Sequence, residues 1–207
     1  DHMAGDALGS LWTLELPQQA GGVLLPEHAQ RFEYQQEKDD PSRLRLVWSE
    51  FGRETMPGLS VSVRVLFDPA SHAARFSISV QGLEGAVPIV VRFPRLCAVT
   101  RQESEVLAVP YWMGEKTAQA RQLLSPAPGQ AHRSEFSYPG LLSMQCMAFY
   151  RDNGPGLYLA ADDVEARSKS FAAFGDGHGG VGLEVCHFPG ADVAAKAAYE
   201  PGYDVLV

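Results

Sequence analysis

The stretch SVSVRVLF (60–67) decides the fold class, because its apolar side chains occupy every second position: Val61, Val63, Val65 and Phe67. Successive side chains of a β-strand point to opposite faces of the sheet, so this period of two predicts a half-buried strand. Asp68-Pro69 ends the alternation, and RFSISVQG (75–82) resumes it. The two segments together predict an antiparallel hairpin with a longish loop.

The same alternation recurs along most of the chain, whereas helical periodicity is nearly absent. About ten short strands are predicted, and the other clear ones lie at 11–16, 43–51, 87–96, 143–150, 156–161 and 181–188. Residues 117–137 are polar and rich in Pro and Gly, which predicts a long excursion from the sheets with one short helix at 118–124. This pattern is typical of an all-β protein, a large antiparallel β-sandwich with at most one or two short helices.

Length and composition fit one domain of this kind. The 207 residues are 45% apolar and 20% charged, which is ordinary for a globular protein with a sizeable core. We expect a single β-sandwich domain over residues 4–207. Asp1-His2-Met3 resembles the remnant of a cleaved expression tag, so the natural N-terminus, and any signal peptide, need not be present.

Charge and cysteine content limit the partners. The net charge of -8, with no run of more than two Lys or Arg, argues against a nucleic-acid partner and suits a neutral ligand. No stretch approaches the roughly 20 apolar residues that span a bilayer, so we expect no transmembrane helix and no membrane partner. Three scattered cysteines (Cys97, Cys146 and Cys186) predict buried free thiols, which favours a reducing, cytoplasmic compartment.

Tyr111 and Trp112 are the first candidates for ligand contact, because two adjacent aromatics precede a glycine at a predicted strand end. The broad, rigid face of an aromatic ring can stack on the apolar face of a sugar. The alternative is that both rings pack beneath residues 117–137.

Acidic residues give weaker signals. Asp162-Asp163 follows a predicted strand and offers carboxylate oxygens to a hard cation, but a solvated turn with local side-chain-to-backbone hydrogen bonds is the better interpretation of the pair. Glycoside hydrolysis needs two carboxylates across a cleft, and Glu115 and Glu135 are also available, yet no spacing nominates a pair. The sequence has no G-x-S-x-G motif. We therefore predict no catalytic residue, metal or cofactor in this chain.

Six motifs in order resemble one type of bacterial glycoside-hydrolase-like protein: FPRL (93–96), PYWMG (110–114), YPG (138–140), MQCMAFY (144–150), GLYLAADD (156–163) and SKSF (168–171). The resemblance is to the N-terminal β-sandwich of those proteins, a domain of unknown function. It covers roughly residues 90–207, with GYDVLV (202–207) similar to the element that leads into a (β/α)8 barrel. It implies the supersandwich fold of galactose mutarotase, with the catalytic carboxylates on the barrel. The histidines and glutamate of the mutarotases have no one-to-one match here.

Three functions are therefore expected, in this order. The first is a non-catalytic domain of a larger carbohydrate-active enzyme that packs on a C-terminal barrel domain of the same polypeptide and shapes its substrate cleft. The second is a self-contained carbohydrate-binding module, and the third is an aldose epimerase or lyase. A glycan is the expected ligand, and its candidate contact residues are Tyr111, Trp112, Glu115, Tyr138, Asp162 and Asp163.

Overall fold

The computed structural model describes residues 10–38, 40–99, 101, 103–151, 154–190 and 198–207. Within these ranges the chain is an all-β sandwich of antiparallel sheets with one α-helix, α1 (Ala120–Leu124), and two 3₁₀ turns. The strands are β1 Thr13–Glu15, β2 Val23–Leu24, β3 Arg31–Gln36, β4 Arg43–Ser49, β5 Ser60–Asp68, β6 Ala73–Gln81, β7 Val90–Val99, β8 Glu105–Val109, β9 Glu115–Thr117, β10 Arg133–Tyr138, β11 Cys146–Arg151, β12 Gly156–Ala161, β13 Lys169–Gly175, β14 Val181–His187, β15 Ala198–Tyr199 and β16 Val205–Leu206.

The chain divides into two compact units. As far as they are described, the first contains residues 10–11 and 92–186, and the second contains residues 12–91 and 187–207. We call them the 92–186 unit and the 12–91 unit. The expectation of a single domain over residues 4–207 stays a prediction, and the expected tag remnant (1–3) lies outside the described residues.

The 12–91 unit is built on an antiparallel meander, β3-β4-β5-β6, and both β15 and β16 pair with β6. The alternation of residues 60–67 has the predicted result, because Val61 and Val63 are fully buried. Trp12 anchors the core with its ring edge-on to Trp48, 5.7 Å between centroids. Burial of these large side chains is the main stabilising contribution to the unit.

The 92–186 unit contains two four-stranded arrays, β10-β13-β14-β7 and β12-β11-β8-β9. All seven residues of β13 and all seven of β14 are buried, as expected for strands covered on both faces. The hairpin of β11 and β12 pairs Met147 with Leu159, and both side chains are buried. This hairpin contributes Tyr158 to the candidate site, and the turn between β8 and β9 contributes Trp112 and Met113.

Most predicted elements are confirmed, including the hairpin of β5 and β6, the short helix and the pairing of β11 with β12. The expectation that residues 117–137 leave the sheets is wrong in its second half, since β10 (Arg133–Tyr138) pairs with β13 over six residues. Few apolar side chains mark β10 in the sequence, because this strand is held by its backbone ladder and by ion pairs rather than by a buried apolar face. The strand β3 was also not predicted, and all six of its residues are exposed.

None of the helices among the described residues has the length and apolar character needed to cross a membrane.

Candidate functional site

Trp112 lies in the turn between β8 and β9 and is 72% exposed. Its backbone has φ 53°, a left-handed conformation that bulky residues rarely adopt. Met113 beside it is fully exposed, and Gly114 (φ 94°) completes the reversal into β9. The turn thus presents two large apolar side chains to solvent, against the ordinary tendency to bury them.

Tyr111, unlike the neighbouring Trp112, packs against other side chains. It is half-buried, forms an isolated β-bridge with Leu142 and places its ring edge-on to Phe136, 5.8 Å between centroids. Phe136 belongs to the 117–137 segment, so Tyr111 packs there, as the alternative prediction stated, whereas Trp112 does not. The two rings lie 6.5 Å apart between centroids with their planes tilted by 49°, so they do not share one flat face.

A concave surface extends from the Trp112 turn across β11 and β12. We call it the aromatic concavity and define it by Trp112, Met113, Met144 and Tyr158. It encloses about 530 Å³, within the range of small-ligand sites. Tyr158 is 52% exposed and Met144 is 58% exposed, so the concavity has an aromatic side chain from each of two elements.

Polar groups stand among these apolar side chains. Glu115, Lys116 and Ser143 line the same concavity, and Glu115 is exposed. Partial burial, together with a hydrogen bond to Cys146, raises the pKa of Tyr158 to about 12. Aromatic faces with a few hydrogen-bonding groups at the edge are what a sugar ring requires, since it has apolar C–H faces and equatorial hydroxyls.

Asp163 does not lie in a solvated turn, which corrects that part of the prediction. Its carboxylate is fully buried, and Oδ2 accepts a hydrogen bond from Lys169 Nζ at 2.7 Å. The backbone amides of Glu165 and Arg167 donate to the same carboxylate, so the predicted local hydrogen bonds are present. Asp162, in contrast, is exposed.

Lys169 completes this buried cluster. Its ammonium donates to Asp163, to Gln145 Oε1 at 2.8 Å and to the carbonyl of Arg167 at 2.6 Å, which uses all three of its donors. The ammonium also lies 5.0 Å from the ring centroid of Tyr138, which pairs with Lys169 across β10 and β13. Two predicted site residues, Tyr138 and Asp163, are therefore brought together through a lysine that was not predicted.

The electrostatics of the pair follow from burial and pairing. Burial opposes ionisation of Asp163, but the hydrogen bonds from Lys169 and the backbone amides outweigh it and hold the pKa of the carboxyl below its ordinary value. Burial lowers the pKa of Lys169, and the attraction of Asp163 opposes this effect. Both side chains are fully buried, and the pair links Lys169 of β13 to the segment that follows β12.

A second buried ionic cluster lies on β7, β10 and β14. Glu184 is fully buried and accepts from Arg95 Nε at 2.6 Å and from Arg133, while Arg92 Nε lies 3.7 Å away. Arg133 also contacts Glu135, whose carboxylate accepts from the hydroxyl of Ser170. Three arginine side chains therefore surround one fully buried carboxylate.

Sequence reasoning missed Glu184, although a signal existed. A single acidic residue inside the apolar run VGLEVCHF implies a buried cation as its partner. Its neighbour Cys186 is buried, and burial raises the pKa of that thiol to about 12. Cys97, Cys146 and Cys186 are free thiols, but the expected burial holds only for Cys186.

Of the predicted contact residues, the aromatic concavity brings together only Trp112 and Glu115. Outside it, Tyr111 packs against Phe136, and Tyr138 and Asp163 both contact Lys169. Among the described residues, no three His, Cys, Asp or Glu side chains are grouped in a way that could hold a metal ion.

Comparison with protein-family models gives no match to this chain, and comparison with curated proteins gives none either.

Proposed function

We propose that this chain is a non-catalytic β-sandwich domain of a larger carbohydrate-active enzyme, and that it contacts glycan through the aromatic concavity. One observation carries the proposal: Trp112 and Tyr158, both more than half exposed, line the same concave surface. Each exposed aromatic face offers area for stacking at low conformational cost, because these side chains have only two rotatable bonds.

The chemistry of the lining favours a neutral sugar. Glu115 can accept hydrogen bonds from hydroxyls, Lys116 can donate to ring or hydroxyl oxygens, and Met113 and Met144 adapt to an irregular apolar face. The carboxylate and the ammonium leave the polar edge close to neutral, which disfavours a strongly charged ligand at this site.

The setting in a larger enzyme rests on the resemblance of residues 90–207 to the N-terminal sandwich of glycoside-hydrolase-like proteins. In that setting the domain packs on a C-terminal (β/α)8 barrel and places the concavity beside the substrate cleft. The open reading frame tests this part, since it should encode a barrel after Val207, and a stop codon there would contradict it. A self-contained binding module would use the same concavity without the barrel.

The glycan contact is tested by titrating the chain with neutral tetrasaccharides of glucose, xylose, mannose and galactose in a calorimeter. We expect saturable binding to at least one of them. Trp112→Ala should weaken it about tenfold or more, equivalent to about 1.4 kcal/mol or more, as for other central aromatic contacts. The fold should be unchanged, because the Trp112 side chain is mostly exposed.

Tyr34→Ala is the matched control, because Tyr34 is 74% exposed on β3 in the other unit. It should leave the affinity unchanged. Equal affinities of the wild type and Trp112→Ala, or flat titrations with all four sugars, would count against glycan contact at the concavity. Acceleration of aldose mutarotation by the chain would instead favour the epimerase alternative.

A further inference from the structure

A groove lined by arginines crosses one face of the β3–β6 meander in the 12–91 unit. We call it the arginine groove and define it by Arg43, Arg45, Arg64 and Arg75, with Gln35 and Ser77 alongside. It encloses about 430 Å³, which is within the usual range for a small-molecule site. All the lining residues belong to this unit, and none belongs to the aromatic concavity.

The strand register brings these side chains together. Arg45 pairs directly with Arg64, and Gln35 and Ser77 extend the same row across four strands. Arg43 and Arg75 both pair with Leu66, which lies two residues after Arg64 on β5. They therefore form a second row on the same face, about 7 Å along the strands from the first. Directly opposite residues have Cβ atoms about 5 Å apart, so the Arg45 and Arg64 side chains are neighbours.

The arginines of the groove differ in whether an acidic side chain pairs with them. Arg43 pairs with Asp40 at 2.8 Å. Arg45 and Arg64 are both exposed, and neither forms an ion pair with any residue in the described ranges. Like charges directly opposite on a sheet destabilise it, and an anion bound between them would relieve this repulsion. The pair therefore favours an anionic ligand.

We propose that the arginine groove binds a carboxylate-bearing sugar, a uronate unit of an acidic glycan. The planar guanidinium group presents paired donors that match the two oxygens of a carboxylate. Around the arginines, the amide of Gln35 and the hydroxyl of Ser77 can donate and accept, and Asp204 can accept from sugar hydroxyls. An acidic peptide would offer carboxylates to the arginines without the neighbouring ring hydroxyls that a sugar can donate to Asp204 and Glu37 in the same lining.

The preference for an anion rests on the arginines alone, whereas the choice of a glycan rests on the proposed function. The two proposals use different surfaces and differently charged ligands. Either can therefore fail while the other stands.

The test is calorimetric titration of the chain with trigalacturonate at low ionic strength, beside its fully methyl-esterified form, which is the same trisaccharide without charge. We expect saturable binding of the acid and at least tenfold weaker binding of the ester. The double variant R45Q/R64Q should bind the acid at least tenfold more weakly than the wild type. Arg151→Gln, at an exposed arginine on β11, should leave this affinity unchanged.

A second variant, R45K/R64K, keeps both positive charges but removes the paired N–H donors of the guanidinium groups. Circular dichroism checks that each variant is folded. The affinity of R45K/R64K for the acid should lie between those of the wild type and R45Q/R64Q. If R45Q/R64Q does not fold, R45K/R64K should still bind the acid more weakly than the wild type. Equal binding of acid and ester, no binding of the acid, or full affinity in the arginine variants would overturn the proposal. Tighter binding of hexaglutamate than of trigalacturonate would overturn it in favour of an acidic peptide.

Discussion

At the scale of single residues, the buried Asp163–Lys169 pair shows how charge is used inside the 92–186 unit. Each charge compensates the other, because burying an isolated charge costs far more free energy than its hydrogen bonds recover. The predicted role of Asp163 in ligand contact came from its place after a strand, which is also where a chain reversal needs a capping side chain. Position alone cannot distinguish these roles, since the distinction depends on whether a distant lysine reaches the carboxylate.

Asp163→Asn should destabilise the fold strongly. It removes the charge partner of Lys169 and leaves the ammonium buried, which in other proteins costs about 3–5 kcal/mol. Urea unfolding followed by circular dichroism measures this free energy. Asp162→Asn, one residue away and exposed, is the control and should change it little. Comparable losses in the two variants would contradict the assigned role.

The decrease in the free energy of unfolding at low pH gives a second measurement on the same variant. The pKa of Asp163 is lower in the folded state than in the unfolded chain, where it is about 3.9. Its contribution is therefore complete above that value and is lost as the pH falls toward the folded-state pKa. Asp163→Asn should lack this part of the pH dependence, while Asp162→Asn should keep it.

At the scale of strands, alternation predicted most of the sheets correctly, because one buried face imposes a period of two on the side chains. Among the longer strands it missed, β3 and β10 bury little apolar surface: all six residues of β3 are exposed, and β10 places Arg133 and Glu135 in an ionic cluster. It also missed β13, whose seven residues are all buried and whose apolar residues (171–174) are consecutive and do not alternate. β3 pairs with the next strand, β4, whereas β10 and β13 pair with each other across about 30 residues, a long-range pairing that a local pattern does not encode.

Glu184→Gln should show that β14 is joined to β7 and β10 by charge. The variant leaves Arg95, which is almost fully buried, without its anionic partner, so we expect a loss of about 3–5 kcal/mol in the free energy of unfolding. Glu165→Gln removes an exposed ion pair with Arg167 and should cost little. Chemical denaturation compares the two, and a near-neutral Glu184→Gln would contradict the role of the cluster.

At the scale of the whole chain, net charge proved a poor guide to local surfaces. The value of -8 suggested a neutral ligand, yet four arginines line one groove, because they lie on three strands and meet only through the register. Trp112 was predicted as a ligand contact from the sequence, whereas Tyr158 was not. The two residues are 46 positions apart in the chain, and only the fold shows that they line one concavity. Sequence identifies candidate side chains, and the fold decides which of them share a surface.

The central claim, glycan contact at the aromatic concavity, is tested most directly by the indole N–H resonances of the three tryptophans. Trp12 and Trp48 are buried and Trp112 is exposed, so the three environments differ, and Trp112→Phe assigns its own resonance. On titration with the tightest-binding neutral tetrasaccharide in a ¹H–¹⁵N spectrum, we predict that the Trp112 resonance shifts to saturation while those of Trp12 and Trp48 stay in place. An unmoved Trp112 resonance at saturating sugar would contradict the account.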